Sequence, residues 1–353
     1  MPDRTPASQG AGRRVGKGGK STQGGDCAPA RTYAAIDLGT NNCRLLIAEP
    51  RDTGFHVVDA FSRIVRLGEG VDSSGVLSDA AIDRTVSALR VCAGKMRSSR
   101  VARTRTVATE ACRRAANGQG FLDRVARETG IDLEIIDPGE EAGLALAGCT
   151  PLIDPECRHA LVFDIGGGST ELIWVEVVPG DDPRVIGWTS LSCGVVTLTE
   201  RHGGDEISSA TYEDMVQFVT GLLHEFEAKH KIRDAIQTDK AHLLGTSGTV
   251  TTLAAVHLGL PRYDRSKVDG TWIDVASLAE VAGRLKGMSF EQRAQNPCIR
   301  RARADLVVAG CAIMDAITGM WDMQRLRVAD RGLREGMLTQ MMSADRREKA
   351  GTQ

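Results

Sequence analysis

Twice along this chain an apolar run ends in Asp-x-Gly, and a second apolar run follows at once. Tyr33-Ala-Ala-Ile36 leads into Asp37-Leu38-Gly39-Thr40-Asn41-Asn42, with Arg44-Leu-Leu-Ile-Ala48 after it. Ala160-Leu-Val-Phe163 leads into Asp164-Ile165-Gly166-Gly167-Gly168-Ser169-Thr170, with Glu171-Leu-Ile-Trp-Val175 after it. Each reads as strand, glycine turn, strand: a hairpin with a polar tip. A unit repeated at domain scale predicts two similar lobes, and matching polar tips predict a cleft that both face.

The intervening pattern supplies helices and further strands. From Ser78, placed to cap a helix, Ile82, Val86, Leu89, Ala93 and Met96 form one apolar stripe. Strands are expected at 104–108 and 133–136, with helices beginning at 110 and 119. The second half reads as a strand at 185–191, a long helix over 209–229, and a strand at 241–244 that runs into Gly245-Thr246-Ser247-Gly248-Thr249. Helices follow at 250–258, 275–286 and 303–319, then a strand at 325–329 and a last helix at 332–342. Strands and helices mix throughout, which makes the class α/β. The expected boundaries are a basic tail over 1–31, a first lobe over 32–140, a second over 141–329 and a short tail over 346–353.

A chain of 353 residues suits about two domains, and 42% hydrophobic content is enough for real cores. The net charge of -2 argues against a broad electrostatic footprint for nucleic acid or an acidic membrane. No apolar run approaches the ~20 residues of a bilayer span, and no apolar core follows the basic N-terminus as in a secretory signal. Nine isolated cysteines without a CxxC pair suit a reducing cytoplasm. Gly16-Lys-Gly-Gly-Lys-Ser-Thr22 imitates a P-loop, but Arg14 stands where that motif needs glycine and no strand precedes it.

The chemistry concentrates at three turns that each follow an apolar strand: 39–42, 166–170 and 245–249. Glycine lets backbone amides approach a ligand closely, and Thr or Ser hydroxyls add neutral donors, so these turns suit phosphate. The third opens a helix, whose N-terminus favours an anion. Asp37 and Asp164 end apolar strands, where an unpaired charge would cost several kcal/mol. Mg²⁺ held by one or two carboxylates plus substrate phosphates accounts for them; a hydrogen bond to their own turn is the alternative. Glu140-Glu141 opens a helix after Pro138-Gly139, where one carboxylate can face the cleft; acids complementing the helix dipole are the plainer reading. Arg44 and Arg113-Arg114 are candidate phosphate clamps, with surface charge as the alternative. The seven histidines show no metal-ligand spacing.

Taken in order, these segments resemble the exopolyphosphatase/guanosine pentaphosphate phosphohydrolase family, within the actin, sugar-kinase and heat-shock ATPase superfamily. The resemblance runs from Tyr33 to Met342. It rests on Ala35-Ile-Asp-Leu-Gly-Thr-Asn-Asn-Cys-Arg-Leu45, Ala108-Thr-Glu-Ala-Cys-Arg-Arg-Ala115 with Asn117, and Ile136-Asp-Pro-Gly-Glu-Glu-Ala142. Asp164-Ile-Gly-Gly-Gly-Ser-Thr-Glu171, Gly245-Thr-Ser-Gly-Thr249 and Asp330-Arg-Gly-Leu-Arg-Glu-Gly336 complete it.

The resemblance implies two actin-like (ribonuclease H-like) lobes around a cleft, with the first lobe completed by a C-terminal helix at about 330–345. It implies Glu141 as the base that activates water, Arg44 and Arg113 as phosphate ligands, and a divalent cation such as Mg²⁺ at Asp164, with Glu171 beside it; Asp37 is kept as a further candidate metal ligand. Gly39, Thr40, Asn41, Asn42, Gly166, Gly167, Gly168, Ser169, Gly245, Thr246, Ser247, Gly248 and Thr249 would hold terminal phosphates. The implied activity is release of terminal phosphate from inorganic polyphosphate or guanosine pentaphosphate. A non-catalytic polyphosphate or alarmone sensor and a small-molecule kinase are the rivals, and a homodimer is left open. Asn41-Asn42-Cys43 departs from the family's serine-bearing first turn. The chain also ends at Gln353, where longer relatives append helical domains; the expectation is therefore short polyphosphate or guanosine pentaphosphate rather than processive digestion of long chains.

Overall fold

The computed structural model describes residues 31–350, apart from Asp205 and Asp239. The P-loop imitation and the expected basic tail, save Arg31, lie outside the described residues, as do 351–353.

Two sheets carry the fold, and they repeat one strand order. The first comprises β1 (Tyr33–Leu38), β2 (Asn42–Pro50), β3 (Phe55–Ile64), β4 (Arg103–Ala108) and β5 (Glu134–Ile135), in the order β3-β2-β1-β4-β5. The second comprises β6 (His159–Ile165), β7 (Thr170–Glu176), β8 (Arg184–Leu191), β9 (Ala241–Thr246), β10 (Trp272–Asp274) and β11 (Arg325–Ala329), in the order β10-β11-β9-β6-β7-β8. In both, an antiparallel meander of three strands is followed by a parallel neighbour on the far side of its first strand. The repeat thus extends from the two hairpins to β3 with β8 and β4 with β9.

β1 and β6 are apolar almost without alternation because helices cover both faces. Ala34, Ile36 and Leu38 face one core with Val86, Leu89 and Phe121 of helices Asp79–Ser98 and Gly118–Thr129. Tyr33 and Ala35 face the other way, against Leu144, Met337 and Leu338. In β6, Ala160 and Val162 face Ala142, Leu146 and Cys149. Strand side chains alternate, so Asp37 shares a face with Tyr33 and Ala35, and Asp164 shares one with Ala160 and Val162. Both aspartates therefore end their strands on the side occupied by one helix, Pro138–Cys149.

That helix bridges the sheets, giving Leu144 and Ala145 to the first and Ala142, Leu146 and Cys149 to the second. Its start is well specified: Pro138 sits in the first turn, and the Asp137 side chain accepts from the Glu140 amide at 2.9 Å. It crosses the C-terminal helix Leu333–Ala350 at glycines: a Cβ on Gly148 would strike the Gly332 carbonyl, and one on Gly336 the Leu144 carbonyl.

Some boundaries differ from expectation. The last helix continues through Ala350 instead of ending at 342 before a tail from 346. Asp345 explains the extension, since it accepts from Tyr33 Oη at 2.6 Å and Arg31 Nη1 at 3.1 Å and also pairs with Arg103. The helix expected at 250–258 begins earlier, as Ser247–His257, and the one expected at 303–319 is Val307–Met320, preceded by a short turn at Arg301–Arg303. β3 and β10 were not expected. The eight described cysteines are all free, and seven are buried. No helix among the described residues is long and apolar enough to cross a membrane.

Candidate active site

A cavity of about 580 Å³ opens where the two Asp-bearing tips, the Pro138–Cys149 helix and the Ser247–His257 helix meet. Asp37, Arg44, Glu141, Asp164 and Glu171 line it, with Gly39 to Asn42, Gly166 to Ser169 and Thr246 to Gly248. Strand register sets the polarity of the two tips. Asp37 pairs across its hairpin with Arg44, and Asp164 pairs across the equivalent hairpin with Glu171. The first tip carries a carboxylate and a guanidinium, 3.8 Å apart from Asp37 Oδ2 to Arg44 Nη1. The second carries two carboxylates.

Four carboxyl groups therefore share one desolvated wall, and burial leads the upward shift of each. Glu141 is pushed up to about 7, with Arg113 opposing and Asp164 and Asp37 adding to the rise. Asp164 is pushed up to about 6, opposed by Arg44 and by a hydrogen bond with the Ser247 side chain. Glu171 is raised well above its ordinary value, although Ser190 Oγ donates to its Oε1 at 2.8 Å. Asp37 is also raised, with Arg44 and Arg334 pulling the other way. Packing so many acids together demands positive charge.

Glu141 and Glu140 diverge. Glu140 pairs with Arg105 on the first lobe's flank, whereas Glu141 turns into the cavity. Arg113 donates from Nη1 to Glu141 Oε2 and to the Ile136 carbonyl, both at 2.8 Å, and from Nε and Nη2 to Glu110 Oε2 at 3.1 and 2.8 Å. These bonds occupy four of its five N–H groups, and it does not line the cavity. Arg113, expected as a phosphate clamp, grips Glu141 in this structure.

The glycine turns divide between two roles. Gly167 and Gly168 let the tips touch: a Cβ on Gly167 would lie 3.0 Å from Thr40 Cβ and 3.1 Å from the Asn41 nitrogen, and one on Gly168 2.6 Å from Thr40 Oγ1. Gly245 does not line the cavity; its missing Cβ makes room for the Phe163 ring at 2.6 Å. Thr249 likewise lies outside the main cavity, packed against Gly310, and lines only a small adjoining pocket. Ser247 and Gly248 form the first turn of their helix, where Thr246 provides no side-chain cap. Amides there are left for an incoming anion. Ser247 itself sits at φ 81, a strained position for a residue with a side chain, and such strain concentrates at functional sites. The Asn41 and Asn42 side-chain oxygens are buried without a partner among the described residues.

Sequence reasoning missed two further arginines of the cavity. Arg300 and Arg303 line the cavity; neither guanidinium makes a hydrogen bond or ion pair among the described residues, although Tyr263 and Asp330 partly offset the charge of Arg303. Arg303 is pushed down to about 10, first by burial, then by Arg44 and Arg300. Arg300 holds φ 63, another strained position. The only signal was the run Arg300-Arg301-Ala302-Arg303, in which Arg301 pairs with Glu291 at the surface.

The expected metal set of Asp37, Asp164 and Glu171 reaches one cavity, but no group of three or more acidic, His or Cys side chains among the described residues is arranged to hold a metal ion.

Comparison with known proteins agrees with this architecture. A solved structure of an Aquifex aeolicus protein of the Ppx/GppA family superposes with a TM-score of 0.73 at 30% identity, covering 90% of this chain and 99% of that one. Exopolyphosphatase 2 of Mycobacterium tuberculosis is 32% identical over 300 residues, covering 80% of this chain and 89% of its own. A guanosine-5'-triphosphate,3'-diphosphate pyrophosphatase of Aeromonas salmonicida is 29% identical over 307 residues, which is 87% of this chain but 58% of that protein. The two sheets form the actin-like two-lobe fold of these structures. The model of the Ppx/GppA phosphatase family matches residues 46–345, and the chain belongs to that family.

Proposed function

We propose that this protein hydrolyses the terminal phosphoanhydride bond of a linear phosphate chain, inorganic polyphosphate or guanosine pentaphosphate, with Glu141 as general base. The observation that carries the reading is a single cavity lined both by an arginine-gripped, half-buried glutamate and by Arg300 and Arg303, whose guanidinium groups make no hydrogen bond or ion pair among the described residues. The relatives' names supply the two substrate classes.

Attack on a terminal phosphoryl group requires positioning and charge neutralisation more than covalent chemistry. Arg44, Arg303 and the first-turn amides of the Ser247–His257 helix would hold the terminal phosphate. Glu141 would orient a water and take its proton as the water oxygen bonds to phosphorus. The bridging P–O bond then breaks, and the shortened chain leaves with its electrons as an anion. A carboxyl group pushed up to about 7 is suited to that exchange near neutral pH.

The carboxylate wall fits a divalent cation. Asp164 and Asp37 are buried hard oxygen donors whose ionised forms lack sufficient counter-charge, and Mg²⁺ is commonly held by one or two carboxylates plus substrate phosphates. When bound, Mg²⁺ would neutralise charge on the phosphate oxygens. The test is phosphate release from short polyphosphate, long polyphosphate and guanosine pentaphosphate, side by side with Mg²⁺. Release from none of the three would defeat the reading.

A further inference from the structure

Glu110 is a carboxylate buried beside a cleft built for anions, and it does not line the cavity. It is 8% exposed. As a phosphate ligand it has the wrong sign, and as a solvated helix-start acid it is too deep. Its contacts show what it does instead. Its Oε2 accepts from Arg113 Nε at 3.1 Å and Nη2 at 2.8 Å, and Nη1 of the same guanidinium donates to Glu141 Oε2 at 2.8 Å.

A guanidinium is planar, so fixing its Nε and Nη2 edge fixes the direction in which Nη1 points. The far side of Glu110 is braced as well: its Cγ lies 3.1 Å from where a Cβ on Gly168 would stand. A line of contacts thus runs from the glycine tip of the second lobe, through Glu110 and Arg113, to Glu141.

We infer that Glu110 is a positioning residue: it aims Arg113 at Glu141, keeps that arginine off the substrate phosphates, and ties the aim to the seating of the second lobe's tip. The inference rests on the reading of Glu141 as the base. Without Glu110, the guanidinium is free to turn toward the substrate's phosphates, and the Glu141 carboxyl loses its fixed direction.

The test compares kcat and KM for phosphate release among Glu110→Ala, Glu110→Gln, Arg113→Met, Glu110→Ala with Arg113→Met, and Glu141→Gln. The substrate is whichever of the three phosphate chains the wild type turns over. Glu110→Ala should lower kcat about 10- to 100-fold, the scale of a small misplacement of a catalytic group, with KM within about twofold. Glu110→Gln keeps the shape and an acceptor oxygen, so it should recover most of the rate and carry the test if the alanine variant does not fold. The double variant should be no slower than Arg113→Met alone, because both changes break one chain of contacts.

Three results overturn the inference: wild-type kcat in folded Glu110→Ala, a glutamine variant as slow as alanine, or multiplying effects in the double variant. Wild-type turnover in Glu141→Gln would sink the base assignment itself. A dead Glu141→Gln beside a fully active Glu110→Ala would sink this inference alone.

Discussion

Arg303 Nη1 lies 3.1 Å from the point that a Cβ on Gly248 would occupy, so its guanidinium rests on the first turn of the Ser247–His257 helix. Two positive ends meet there, the uncapped amides of a helix N-terminus and a half-buried guanidinium with no hydrogen bond or ion pair among the described residues. The arrangement is unfavourable until an anion arrives, which is what a phosphate seat requires.

Arg303→Met should therefore split stability from function. Losing a charged hydrogen-bond donor to phosphate costs roughly 1.5–3 kcal/mol, so KM should rise about 10- to 100-fold. Without ligand, the thermal midpoint should hold or rise, because a half-buried charge that Arg44 and Arg300 disfavour is replaced by an apolar chain of similar length. Steady-state kinetics and thermal denaturation check the two halves, and an unchanged KM would remove Arg303 from the phosphate seat.

Glu141→Gln should affect turnover rather than binding. The amide preserves shape and can still accept a hydrogen bond from Arg113, but it cannot take a proton from water. General-base contributions run to about 10²–10⁴-fold, and kcat should fall by that much with KM little changed. A parallel rise in KM would mean that the carboxylate binds a ligand instead.

Much of this site was legible before any coordinates. The two hairpins announce themselves because Asp-x-Gly interrupts otherwise unbroken apolar runs, and a strand buried on both faces has to be apolar throughout. β3 was invisible for the opposite reason: as an edge strand, Phe55–Ile64 is largely solvent-facing and carries His56, Asp59, Ser62 and Arg63. Gly167 and Gly168 line the cavity as a phosphate turn would, and they also admit Thr40 and Asn41 of the first tip, a second use of glycine that local sequence does not reveal. Arg303 and Glu110 were missed because their meaning lies in burial and partners, which depend on packing between segments far apart in the chain. Arg44 and Glu171 gained their equivalence from strand register, which local patterning does not state.

Activity and stability should respond to pH in opposite directions. Glu141 is pushed up to about 7 and Asp164 to about 6, from ordinary values of 4.5 and 3.8. The folded protein thus binds these protons more tightly than the unfolded chain. The stabilisation they contribute is fully present below the unfolded values and is lost as pH rises through about 6 to 7. Without divalent cations, the thermal midpoint should fall between about pH 5 and about pH 8, while kcat/KM climbs over the same interval as Glu141 ionises. Adding Mg²⁺ at the alkaline end should restore part of the lost midpoint, because a cation replaces the protons. A midpoint that rises with pH in the absence of cation would contradict the packed-acid account.

Gly336→Ala tests how the cleft is held from behind. Gly336 sits buried in the C-terminal helix, and a helical glycine costs about 1 kcal/mol relative to alanine, so propensity alone predicts that the substitution stabilises. The packing predicts the reverse, because the new methyl would strike the Leu144 carbonyl of the Pro138–Cys149 helix. A backbone oxygen cannot swing aside as a flexible side chain does, so the two helices must separate at a cost of about 1–3 kcal/mol. Leu144 is one turn from Glu141, so separation also shifts the glutamate relative to Asp164. The variant should lose thermal stability and turnover together, and Gly283→Ala, at a helical glycine with open space around it, should lose neither. Equal behaviour of the two variants would mean that the helix crossing tolerates a methyl and that the site's geometry does not depend on it.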